Sequence, residues 1–439
     1  MDMTAESPLT AGTHAPLGIL AGGGGLPEQI ARSAIASGRS VHIVAIEGEA
    51  ASAITLFPHT WVNWGSIGRM STSLRSAGVR DLIIVGSVTR PDLRNVRPDF
   101  GLVRALPTIF RLMGGGDDHV LRNVVRFFEA QGFQVRGIAD VAPELLVATG
   151  ALGRIVPTQH QIADAARGFQ LIEALGGADV GQAVVMREGR ALAIEAAEGT
   201  DRMLARLGDG GDRRAAGGVL VKGPKPGQEL RIDLPAIGPR TLQLAAEIGL
   251  AGVAVASGRV LIAERDATIS AGDAKGLFVA GVDVPHGAGA SKSPRTPALA
   301  PVTRAVPDEA GRRDMARALG VLVASAPFAA TAGVVVVRRH VIAIETGEGL
   351  IAMFARTMTL RQWGATVRSK RRGALALAAT CRDAATLDAA LQAAAEAGLA
   401  GVVLSSGFAA ELVDRAATIA GPLGLAVVEA KGPWPEQML

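Results

Sequence analysis

Residues 17–38 read LGILAGGGGLPEQIARSAIASG, and the fold is decided there. A short apolar run ends in four consecutive glycines, Gly22 to Gly25, and a helix-like segment follows at once. An apolar run bounded by glycine suits a strand of a parallel sheet, buried on both faces. Glycines between a strand and a helix let backbone N–H groups approach a phosphate at the helix N-terminus. Outward from this stretch, VHIVAIEG (41–48) makes a second strand, a helix ends near Gly78, and DLIIVGSV (81–88) makes a third strand. Strands alternating with helices predict a parallel sheet with helices on both faces. Gly23, Gly24 and Gly25 are therefore candidate phosphate contacts. Glu47 sits where a dinucleotide fold places its ribose-binding acid. Pro27 stands near where that fingerprint wants its third glycine, so the glycines read equally as a tight turn.

The segment GSVTRPDLRNVRPDF (86–100) begins at the C-terminal end of the third strand, where open α/β sheets bind ligands, which makes Arg90, Asp92 and Arg94 candidates to face a crevice. Further on, Gly114 to Gly116 lead into Asp117, Asp118 and His119. Asp117 or Asp118 either caps the following helix or joins His119 on a loop over the site, touching metal or sugar. Residues 1–15 read as a loose tail and 16–155 as a Rossmann-like domain. A second α/β or α+β domain spans 156–284, and a Pro/Ala/Ser-rich linker spans 285–307.

Composition narrows the classes. With 439 residues, 49% hydrophobic and 20% charged, the chain is globular and long enough for two or three cores. A net charge of +4 with 3% aromatic residues gives no footing for stacked nucleic-acid bases. A single cysteine, Cys381, rules out an internal disulfide and any cysteine-rich zinc site, which fits a reducing cytoplasm. Residues 318–337 contain no charge over twenty positions, but Pro327 interrupts them and their second half reads as a strand rather than a membrane span.

The chemistry concentrates between Glu195 and Thr241. Glu195, Glu198, Asp201 and Asp233 are interleaved with Lys222, Lys225 and Arg231, while Pro224, Pro226 and Pro235 stiffen the backbone. Mg²⁺ prefers one or two carboxylates plus phosphate oxygens and water, and Lys and Arg supply point charges and a planar fork for phosphate. The same residues also suit an ordinary charged strand–loop–strand.

An internal repeat sorts them. Residues 184–206 align without a gap on 334–356 with ten identities in 23, and 242–258 align on 391–407 with twelve in 17. Residues 308–439 thus read as a diverged copy of the second domain. Glu195, Glu198, Met203 and Arg206 recur as Glu345, Glu348, Met353 and Arg356, which points to structure as much as chemistry. Asp201 becomes Ile351, and KGPKPGQELRIDLP (222–235) is replaced by LAATCRDAATLD (377–388). Asp201, Lys222, Lys225, Gln228, Arg231 and Asp233, together with Thr200, are therefore the functional candidates, and the copy reads as non-catalytic, for packing or regulation.

At these residues the chain resembles the UDP-2,3-diacylglucosamine pyrophosphatase of lipid A biosynthesis, in the form unrelated to metallophosphoesterases. The blocks that carry the resemblance are LGILAGGGGLP, GSVTRPD, GGGDDHVLR, DVGQAVV, EAAEGTDRML and KGPKPGQELRIDLPAIGPRT, in order over about residues 16–284. It implies a Mg²⁺-dependent (or Mn²⁺-dependent) hydrolase releasing UMP and 2,3-diacylglucosamine 1-phosphate, lipid X. The family's catalytic aspartate lies in its R-x-D-L-P block, which here is Asp233. Asp233 is then assigned to metal or water activation, with Asp201 as a second metal and catalytic candidate, and Asp117 and Asp118 as further metal candidates. Lys222, Lys225, Gln228 and Arg231 would meet the pyrophosphate, and Gly23 to Gly25 with Arg90 would hold the nucleotide or sugar phosphate.

The expected setting is cytoplasmic, with transient contact at the inner-membrane surface, because the diacyl substrate resides there. A homodimer is a further expectation, the extra domain either replacing a partner's surface or covering the cleft. Two rival readings are a non-catalytic sensor of nucleotide sugar or lipid and an NAD(P)-binding oxidoreductase, which leaves the PKPGQELRID block unexplained.

Overall fold

The computed structural model describes residues 15–63, 65–87, 117–178, 180–208, 215–284, 298–361, 371–381 and 383–432. Its contacts divide the chain into two units: residues up to Leu146 together with Gln228–Leu234, and Val147–Gly227 together with Pro235 onward.

The first unit is built on the five-stranded sheet that residues 17–38 predict. Strands β1 (Leu17–Ala21), β2 (Val41–Ile46), β3 (His59–Val62), β4 (Asp81–Val85) and β5 (Gln134–Val135) lie in the order β3-β2-β1-β4-β5, all parallel. Every residue of β1 is buried, as its apolar run requires of a central strand. Helix Leu26–Ala36 buries Pro27, Ile30, Ala31 and Ala34, the i, i+3, i+4, i+7 face of an amphipathic helix.

The sheet's crossover reverses direction between β1 and β4, and the glycine turn sits there. Gly22 N–H donates to Val85 O and Gly23 N–H to Ser87 O, while Ser87 N–H donates back to Gly23 O. A side chain at Gly86 would meet the Gly22 carbonyl carbon at 2.7 Å, and one at Gly23 would meet Ser87 Oγ at 2.8 Å. Close approach of two backbones is thus one physical reason for glycine here.

The second unit begins with the short strand β6 (Gly150–Ala151) and holds both copies of the repeat. In the first copy, β7 (Ala183–Arg187), β8 (Arg190–Ile194), β9 (Val219–Lys222), β11 (Gly252–Ala256) and β13 (Phe278–Val282) form a sheet ordered β13-β11-β9-β7-β8, while β10 (Ala236–Ile237) pairs with β12 (Leu261–Ile262) beside it. In the second, β15 (Gly333–Val337), β16 (His340–Ile344), β17 (Ala374–Leu377), β18 (Gly401–Leu404) and β19 (Ala426–Lys431) repeat that order, with β14 (Ala298–Pro301) added at the edge. Three strands run parallel and the β7–β8 or β15–β16 hairpin runs antiparallel in each copy.

The hairpin turns show how closely the copies match. Glu188 and Gly189 have φ of 50° and 76°, and Arg338 and Arg339 have 51° and 69°. Two consecutive positive φ values are the signature of the hairpin turn whose twist suits the strands. In each copy an aspartate from the preceding long helix holds that turn. Asp164 accepts from the N–H of Glu188 (3.0 Å) and Gly189 (2.6 Å), and Asp314 accepts from Arg338 (3.0 Å) and Arg339 (2.7 Å).

Three boundaries differ from the sequence reading. Residues 147–155 pack with the second unit, because Val147 N–H donates to Val260 O and Leu152 N–H to Val279 O. Gln228–Leu234 pack with the first unit despite lying in the middle of the second domain. The end of the expected linker is strand β14, paired antiparallel with β19. The uncharged run 318–337 divides into helix Glu309–Ser325, a break at Pro327 and strand β15, and no helix among the described residues is long and apolar enough to cross a membrane.

Candidate active site

In the second unit the site is built on helix Thr200–Gly208 and the end of β9. Gly199 enters the helix at φ 82°, a conformation open to glycine at little cost. Glu195, just after β8, accepts from Gln182 N–H (2.8 Å) through Oε2 and from the Thr200 hydroxyl (3.1 Å) through Oε1. The Thr200 Oγ1 in turn accepts from Lys222 Nζ at 3.0 Å. Burial pushes the Lys222 ammonium below the usual lysine range, against the pull of Glu195 and Asp201. A largely desolvated ammonium interacts more strongly with a nearby phosphate than a hydrated one does.

Asp201, in the first turn of the same helix, is 49% exposed and is paired with Arg240 at 2.7 Å. Lys225 follows β9 in the loop that Pro226 stiffens and is half-buried. A side chain at Gly176 would meet the Pro226 ring at 2.4 Å, so this loop lies close against the backbone of Gly176.

Gln228, Arg231 and Asp233 belong to the first unit. Asp233 N–H donates to Glu229 O at 3.0 Å, closing a tight turn, and the buried Gln228 donates from Nε2 to Asp233 Oδ2 at 2.6 Å. This amide fixes the carboxylate's orientation. Arg231 is committed differently from the expectation of phosphate binding. It forms a two-pronged pair with Glu229 (2.8 Å to each oxygen) and donates from Nη1 to Glu129 on helix Asp117–Ala130 at 2.7 Å. The Arg231 hydrogen bond holds Glu229 below the usual carboxylate range, and the arginine is held above its own. Ile232 packs against the apolar cluster that includes Phe128 and Phe133. Arg231 and Ile232 together anchor the segment that presents Asp233.

Other sequence candidates resolve unevenly. Gly23 spends its N–H on Ser87, so it supports the turn. Gly24 has φ 88° with open space around it, and Gly25 starts the helix. Arg90, Asp92 and Arg94 lie outside the described residues. Asp117 and Asp118 begin their helix, with their side chains outside the description. Asp201 and Asp233 fall in different units. Among the described residues, no group of three or more His, Cys, Asp or Glu gathers to hold a metal ion.

Sequence reasoning missed Glu129, Glu229 and Arg240, the partners that decide what Arg231 and Asp201 do. Glu229 lies two residues from Arg231, inside the quoted block, and was within reach of a local pairing argument. Glu129 is 102 residues away and gave no such signal.

The second copy keeps the scaffold with different side chains at equivalent described positions. Glu345 is kept and accepts from the N–H of Ala332 and Gly349 (2.9 Å each). Thr200 is replaced by Leu350 and Lys222, by sheet register, by Leu377, both packed in one apolar cluster.

The chain matches the LpxI N-terminal domain profile over residues 16–145 and the LpxI C-terminal domain profile over 148–280. It is 39% identical over 274 residues to the UDP-2,3-diacylglucosamine pyrophosphatase LpxI of Caulobacter vibrioides, a stretch covering 61% of this chain and 97% of that protein. Residues beyond 280 lie outside both profiles. With both domain types present in order and nearly all of a relative's length matched, the chain belongs to the LpxI family.

Proposed function

We propose that this protein hydrolyses the pyrophosphate bond of UDP-2,3-diacylglucosamine, releasing UMP and 2,3-diacylglucosamine 1-phosphate (lipid X). The observation that carries the reading is 39% identity to a pyrophosphatase of that name across 97% of its length. The held carboxylate of Asp233 and the half-buried Lys222 supply residue types that this reaction needs. Water attacks one phosphorus, a P–O bond forms, the bridging P–O bond breaks, and the leaving phosphate keeps the electron pair.

Asp233 orients the attacking water and accepts its proton, or holds the metal, with Gln228 fixing the carboxylate. Lys222 offsets charge building on the phosphoryl oxygens. Lys225 adds a second cation from the adjoining loop, and Asp201, paired with Arg240, stays at the edge of the helix. One oriented carboxylate fits a Mg²⁺ or Mn²⁺ held mainly by substrate phosphate and water, and such an ion polarises the phosphoryl oxygens when bound. The acyl chains of the substrate would bring the protein transiently to the cytoplasmic face of the inner membrane.

The test is UMP release from UDP-2,3-diacylglucosamine with Mg²⁺, with and without EDTA. Metal-dependent release is expected; a well-folded protein that releases no UMP would contradict the reading.

A further inference from the structure

The two copies of the repeat meet with approximate twofold symmetry. Glu198 accepts from Arg206 of its own copy (3.2 Å) and from Arg356 of the other, while Glu348 accepts from Arg356 and lies 3.8 Å from Arg206. A shift of 150 residues carries Glu198 onto Glu348 and Arg206 onto Arg356, so the four form a closed ring of alternating charge. The ring is buried, with Glu198 at 1% side-chain exposure and the others at 11 to 16%. Each arginine also donates to its own copy's strand end, Arg206 to Ile194 O and Arg356 to Ile344 O, both at 3.2 Å.

The long helices repeat the exchange. Arg167, on helix Gln159–Leu175, donates to Pro327 O at 2.6 Å, and Arg317, its counterpart on helix Glu309–Ser325, donates to Ala178 O at 2.8 Å. Leu171 and Ile172 share one apolar cluster with Leu319 and Leu322. Reciprocal contacts, in which one residue meets the counterpart of its own partner, define an isologous interface between two like subunits. Both halves of the ring persist in a copy that has lost Thr200, Asp201 and Lys222, so its retained function is the contact.

We propose that residues 298–432 act as a tethered partner subunit. They occupy on the first copy a self-complementary face that would otherwise receive a second copy of the same domain, so the expected homodimer is built into one chain. The Caulobacter relative supports this occupant: nearly all of it is matched by 61% of this chain, so that relative has no room for a counterpart of the tethered copy. The same comparison shows that a relative of about this extent exists as a protein. The inference stands apart from the reaction, and its readouts do not use activity.

Sedimentation velocity tests it on the full chain and on a chain ended after residue 284, from low to high micromolar concentration. The full chain is expected to be monomeric, the shortened chain dimeric, and the shortened chain carrying Arg206→Glu monomeric, because four carboxylates would then meet. A folded shortened chain that stays monomeric at high micromolar concentration overturns the proposal, as does a full-chain dimer that Arg206→Glu dissolves. Should the shortened chain aggregate, the full chain with Arg206→Glu and Arg356→Glu decides. Exchange of the Ala191 N–H, bonded to Phe328 O at 2.7 Å, should quicken about tenfold or more as the clasp loosens. Unchanged exchange overturns the proposal.

Discussion

Set side by side, the two copies of the repeated domain differ less in architecture than in what they do with the same positions. Asp164 and Asp314 hold equivalent hairpin turns, and Glu195 and Glu345 accept equivalent backbone N–H groups. What changes is the layer above: a threonine, an exposed aspartate and a half-buried lysine become Leu350, Ile351 and Leu377. The positions kept in both copies hold the domain together, and the positions that differ are those proposed for the reaction.

Lys222→Met should have a large effect, because it gives the first copy the apolar character of the second. UMP release should fall about 100-fold, the loss typical of removing one charge-stabilising group. The melting temperature should hold or rise, since an apolar side chain replaces a partly desolvated ammonium without a loss of volume. A variant that keeps its rate would place Lys222 among the scaffold residues and dissolve the contrast between the copies.

Asp314→Ala tests the scaffold half. It leaves two backbone N–H groups of a positive-φ turn without their acceptor, at a cost of about 3 kcal/mol. Chemical denaturation should show the loss, and Asp164→Ala should cost a similar amount in the first copy. Much smaller losses for both would mean that the hairpins do not depend on these carboxylates.

Much of this contrast was legible in the sequence. The buried run of β1 and the glycines after it announced a parallel sheet, and the repeat showed which acids lacked a counterpart. What escaped depended on distance along the chain or on side-chain geometry. Gln228–Leu234 packs with the N-terminal unit through Ile232 and the Arg231–Glu129 pair, and no local pattern marks a segment that leaves its own domain. Asp164 and Asp314 lie buried on helices whose periodicity records only apolar positions. The ring of Glu198, Arg206, Glu348 and Arg356 was visible as repetition but not as contact.

Smaller effects refine the picture. In the first unit, burial opposes ionisation of Asp81, but its hydrogen bonds to Arg39 and Arg136 outweigh that and hold its carboxyl below the usual range. Its contribution is complete above the unfolded value near pH 4 and is lost as pH falls through the lower folded value. Asp81→Asn should therefore lower the melting temperature at pH 7 and lose its effect in strong acid. In the second copy, burial first, with Glu345 and Asp383 adding to it, pushes the Cys381 thiol up to about 11. The native protein should react with a thiol reagent far more slowly than the unfolded chain; rapid labelling would show that the copy is loosely packed.

In the proposed hydrolysis Asp233 is the general base or metal-holding carboxylate. The most direct measurement is the rate of UMP release from UDP-2,3-diacylglucosamine by Asp233→Asn beside the wild type, with equal folding shown by melting. The rate should fall at least about 100-fold, the size expected when a general base is removed. A folded Asp233→Asn protein that turns over at the wild-type rate would contradict that role.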